Sequence, residues 1–151
     1  MKIVDFINTF KGTEYKDKLV QKHITKPYMH WLMKVAEAES IVQKSCYDKD
    51  SKFRLNSPLR YYLFIVSTIK NYTDLEFEDG EMIRDFNILE ENGVNDMIVG
   101  TVEDVGRFAK VIQMTLDDHM ENYRSLVGYV DGKKDSLMTI LDNIQLPYDN
   151  E

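Results

Sequence analysis

A single cysteine, Cys46, is all the chain offers for disulfide chemistry, so no internal bridge can form and nothing points to an oxidising compartment. Three prolines and seven glycines are few for a turn-rich all-β chain. The longest purely apolar run, Tyr61 to Val66, falls far short of the roughly 20 residues of a spanning helix. The opening segment MKIVDFINTFKGTEYKDK lacks a long apolar centre and a small-residue cleavage site, which argues against a secretory leader. An excess of positive charge is missing too: 19 Lys and Arg face 26 Asp and Glu, a net charge of -7. Duplex DNA and anionic membranes recruit clustered cations, so direct contact with either is not expected. What is present is ordinary for a globular chain. Apolar residues make up 43% and charged residues 30%, enough to exclude disorder over 151 residues and to build one domain with a core.

The apolar residues recur at helical spacing. Ile3, Val4, Phe6, Ile7 and Phe10 form a stripe stopped by Gly12, and Tyr15, Leu19, Val20 and Ile24 continue more loosely. Pro27 fits the first turn of a five-turn helix in which Tyr28, Leu32, Val35, Ala36 and Glu39 share one face. Trp31, Val35, Ala38 and Val42 form an overlapping one. Asp48 to Lys52 reads as a loop, and Ser57-Pro58 starts a helix through LRYYLFIVSTIKNY, apolar all round and therefore central. Leu75 and Phe77 alternate with acids in a short extended piece or wide turn. Met82, Ile83, Phe86 and Leu89 mark a helix capped by Gly93. Thr101 to Asp104 resembles a capping box. Beyond it the 3-and-4 pattern runs from Val105 through Leu116, Met120 and Tyr123 to Val130, roughly 40 Å of helix at about 1.5 Å per residue. Asp131-Gly132 reads as its end, and Leu137 to Ile144 as a last helix before Pro147 and an acidic tail. The expected fold is all-α, a single helical domain over residues 1–151: a bundle of five to seven helices with one long helix in the C-terminal half.

Chemistry-bearing patterns are scarce. His119 follows Asp117 and Asp118, but adjacent helix residues point about 100° apart and cannot converge on one ion. Pro27 separates His23 from His30. Asp74 to Glu81 superficially matches a calcium loop, yet its glycine and its twelfth residue fall out of register. Cys46 has no CxxC partner, and no phosphate-binding or hydrolase motif occurs. No catalytic, cofactor-binding or metal residue is assigned, and no enzyme activity is expected. The nine tyrosines and eight methionines suit a protein–protein interface, where both types are enriched.

Three stretches, FRLNSPLRYYLFIVSTIKNYTDLEF (53–77), LEENGVNDMIVG (89–100) and MTLDDHMENYRSLVGYVDGKKDSLMTILDNI (114–144), together resemble short acidic proteins encoded by tailed phages and prophages of Gram-positive bacteria, among virion morphogenesis genes. That resemblance implies a non-enzymatic viral protein of the virion or host cytoplasm that binds other proteins. It would serve as a head–tail connection component, a minor virion protein or a tail assembly chaperone, and homo-oligomers are compatible with its long amphipathic helix. The alternative is an inhibitor of a host defence or nucleic-acid enzyme whose acids imitate DNA phosphates. The residues singled out for an interaction surface are Asp74, Glu76, Glu78, Asp79, Asp117, Asp118 and Tyr123.

Overall fold

Ile3, Phe6, Ile7 and Phe10 bury one face of α1 (Ile3–Lys11) in the computed structural model, which describes the backbone of residues 1–143 and the side chains of residues 1–139. Six more helices follow: α2 (Lys16–His23), α3 (Trp31–Cys46), α4 (Ser57–Tyr72), α5 (Met82–Glu91), α6 (Val94–Thr101) and α7 (Glu103–Asn143). The fold is all-α. Among the described residues no strand forms; three isolated bridges join Lys2 to Glu76, Ile24 to Thr73 and Tyr47 to Phe53. The alternating segment after α4 supplies two of them, with Leu75 buried and the Ile3 N–H donating to the Glu76 carbonyl at 3.2 Å.

Internal contacts divide the chain into two compact units, Met1–Thr115 and Leu116–Glu151. The first holds one continuous core. Phe6, Ile65, Ile69, Tyr72, Leu89, Val94, Ile98, Val105 and Phe108 are all buried in it. The YYLFIV run lies in α4, central as its all-round apolarity demands. Its N-cap is Asn56, one residue ahead of the expected serine, with Oδ1 accepting the Leu59 N–H at 3.0 Å. Phe64 and Phe108 meet at 5.7 Å between ring centroids, and Tyr62 stands edge-on to Phe86 at 5.0 Å.

Four expectations are corrected. Pro27 does not open α3; the helix begins at Trp31, where His30 Nδ1 accepts the Leu32 N–H at 3.2 Å. The chain before it is tied to the end of α4, because Thr25 and Lys26 both donate their N–H to the Tyr72 carbonyl at 3.1 Å. Gly93, at φ +73°, follows one helix and starts another: α6 takes Val94–Thr101, where no helix was expected. Thr101 to Asp104 forms no capping box, since Thr101 closes α6 and the Asp104 carboxylate turns inward. Finally, α7 does not stop at Asp131-Gly132 but runs 41 residues as one helix, absorbing the expected last helix. A glycine within a helix lowers stability without breaking the hydrogen-bond ladder, and no proline intervenes. Ile144, Pro147 and the acidic tail lie outside the described residues.

An added Cβ at Gly132 would meet no atom within 4 Å. Gly132→Ala is therefore expected to raise helical circular dichroism and to stabilise this helix by up to about 1 kcal/mol. A left-handed turn at Asp131-Gly132 would give the opposite change.

Candidate interaction surfaces

The first unit is organised around one buried carboxylate. Asp104, at the start of α7, is 2% exposed. Its Oδ1 accepts from Lys34 Nζ at 2.8 Å, and its Oδ2 accepts from the Met29 N–H at 2.9 Å and the Tyr72 hydroxyl at 2.7 Å. Arg107 Nη1 stands 3.5 Å from Oδ1. The carboxylate thus joins the beginning of α3, the end of α4 and the beginning of α7, where the helix dipole also favours a negative charge. Burial pushes the Asp104 carboxyl upward, but donation from Lys34, Met29 and Tyr72 outweighs it and holds the group below the usual 3.8. The Tyr72 phenol moves the other way, raised well above its ordinary value by burial and by its bond to Asp104.

A cleft of about 460 Å³ lies beside this cluster, lined by Gln21, Ile24, Pro27, Tyr28, Glu103 and Arg107 among others. Three hydrogen bonds, from Lys34, Met29 and Tyr72, and the nearby Arg107 guanidinium engage the Asp104 carboxylate. His23 Nδ1 lies 2.7 Å from Asp74 Oδ1, and its ring stands edge-on to Phe6 at 5.3 Å. With the Asp74 N–H donating to the His23 carbonyl at 3.0 Å, this pair pins the end of α2 to the segment after α4.

Lys34 decides what α3 shows to solvent. Because its ammonium is drawn inward to Asp104 and over the Tyr28 ring, at 4.5 Å from the centroid, α3 buries Lys34, Ala38, Ile41, Val42 and Ser45. Trp31 and Leu32 are turned outward, 53% and 68% exposed, with Val35 one turn beyond Trp31 and also exposed. Tyr28, just ahead of them, is exposed as well. The first expected face lies outside, with Leu32, Val35, Ala36 and Glu39 all exposed, whereas of the second Ala38 and Val42 pack and Trp31 and Val35 do not. A lysine reads as a solvent residue, so the inward face was hidden. The one available signal was that residues 28–36 hold more large apolar side chains than a single helix face can bury.

Of the residues singled out from sequence, Asp74, Glu76, Glu78 and Asp79 are exposed in one loop between α4 and α5. Asp74 is engaged by His23, and Glu78 pairs with Arg84. Asp117, Asp118 and Tyr123 lie on α7 in the second unit, where both aspartates are exposed and Tyr123 is 44% exposed. At about 100° per residue, Tyr123 points more than 90° away from either aspartate, so the three share no face. Cys46 is buried. Among the described residues no group of three or more His, Cys, Asp or Glu is placed to hold a metal ion, and no helix is long and apolar enough to cross a membrane. No protein-family model matches the chain, and comparison with curated proteins and with solved structures finds no match.

Asp104→Asn removes the counter-charge of a buried ammonium, and is expected to destabilise the first unit by about 3–5 kcal/mol in urea unfolding. The pH dependence follows from the sign of the shift. A carboxyl held below its unfolded value contributes stability that is complete above about 4 and is lost as pH falls through the depressed folded value. The urea midpoint of the wild type is expected to fall over that acid range, and the fall to be shallower in Asp104→Asn.

Proposed function

We propose that this protein is non-enzymatic and acts by contact with other proteins, as a structural or assembly component of a tailed phage: a head–tail connection component, a minor virion protein or a tail assembly chaperone. The observation that carries the contact reading is the outward face of the first turns of α3, Trp31, Leu32 and Val35. Interface energetics concentrate on a few rigid aromatic and aliphatic anchors, tryptophan foremost. A rigid mount also lowers the entropy lost on association, and Lys34, in the same turn, is clamped by Asp104. The phage setting is supported by the resemblance of residues 53–77, 89–100 and 114–144.

Imitation of DNA by acids has less support. In the densest acidic loop Glu78 is paired with the Arg84 guanidinium, which reduces the field that loop presents.

Affinity purification of the tagged protein from phage-infected or lysogenic cells tests the reading. The expected result is a capsid, portal or tail protein, retained by the wild type and weakened about 30-fold or more by Trp31→Ala, the loss of one interface anchor. The variant should unfold at nearly the wild-type midpoint, because Trp31 is exposed. Recovery of a host nuclease instead would favour the inhibitor, and a phage partner indifferent to Trp31→Ala would remove α3 from the interface.

A further inference from the structure

Within the second unit every residue from Glu121 to Thr139 is exposed, yet the segment is strongly two-sided. At about 100° per residue, Tyr123, Val127, Val130 and Leu137 line one face, with Leu126 and Met138 on its borders, all within an arc of about 120°. Leu126 and Leu137 are 60% and 61% exposed. Together the six residues leave roughly 600 Å² of largely apolar surface open, so joining two copies would cover about 1,200 Å², where stable interfaces begin.

We infer that this face pairs antiparallel with the same face of a second copy of the chain. In coiled-coil terms Tyr123, Val130 and Leu137 occupy the d positions and Val127 and Lys134 the a positions. The residues flanking the seam are Arg124, Asp131 and Met138 on one side and Leu126 and Lys133 on the other. Orientation follows from these flanks. In an antiparallel pair each flank meets its own counterpart, so Arg124 faces Asp131 of the second copy, and the two-fold axis repeats the contact. Val127 then packs on Val130 of the second copy, and Tyr123 on its Lys134, whose methylene stem covers the seam while its ammonium meets the ring. A parallel pair brings Asp131 to Leu126 and Lys133 to Met138, with no opposite charges in contact. Two ion pairs against none select the antiparallel arrangement.

The inference is independent of Trp31, and partner capture through α3 can fail without touching it. Analytical ultracentrifugation of the full chain over a concentration series tests it with four proteins. The wild type should reach twice the monomer mass. Arg124→Glu and Asp131→Lys should each weaken association by roughly tenfold, since both symmetry-related pairs turn repulsive at once. The double variant Arg124→Glu/Asp131→Lys should return to within about threefold of wild type. Val130→Asp should abolish the dimer while the first unit keeps its unfolding midpoint. A monomer at every concentration overturns the inference and leaves the face to residues 144–151 or to a different protein. A dimer indifferent to the charge reversals, or single defects that the double variant does not repair, overturns the antiparallel seam.

Discussion

The carboxylate of Asp104 has to be satisfied without water, and the first unit is arranged around that requirement. Its donors arrive from residues 75, 70 and 32 positions earlier in the chain. Each comes with a structural consequence. The Met29 N–H holds the chain before α3 in place, Lys34 sets the rotation of α3, and the Tyr72 hydroxyl fixes the end of α4. A buried ion pair of this kind contributes little net stability compared with a well-packed apolar replacement, because both charges must be stripped of solvent. What it adds is direction: only one rotation of α3 brings the ammonium to the carboxylate.

That rotation links packing to the proposed function. Were α3 turned to bury Trp31 and Leu32, Lys34 would face solvent and Asp104 would be left a buried charge without its ammonium, at a cost of several kcal/mol. The polar cluster therefore keeps a tryptophan, a leucine and a valine at the surface. The second unit presents apolar residues for a different reason. Its helix has no packed layer over residues 121–139, and an isolated helix of that length is only marginally stable in water. The inferred pairing would cover its apolar face and supply the missing tertiary contact.

Legibility from sequence varied with how local each cause was. The helix α4 was plain because its start signal and all-round apolar centre lie within sixteen consecutive residues. The stripe of α1 was equally local. The continuity of α7 was missed because Asp-Gly is a common stop, although a glycine there costs only about 1 kcal/mol. The eight residues of α6 escaped because glycines at its start and near its end mask a short period. Asp104 was seen as part of a cap, since position and residue type suit a helix start; nothing nearby in sequence reveals that a lysine 70 residues earlier claims it. The outward Trp31 was hidden for the same reason. Of the acids singled out as a surface, four do share one loop, because loop proximity is a sequence property, whereas Asp117, Asp118 and Tyr123 diverge around a helix.

Native-state hydrogen exchange at the Met29 amide tests the role of Asp104 most directly. Met29 lies outside any helix, and an ordinary loop amide exchanges by local opening of little cost. If the buried carboxylate clamps the start of α3, the Met29 amide exchanges as slowly as the central amides of α4 and loses that protection in Asp104→Asn. Exchange at the rate of neighbouring exposed loop amides in the wild type would contradict the account.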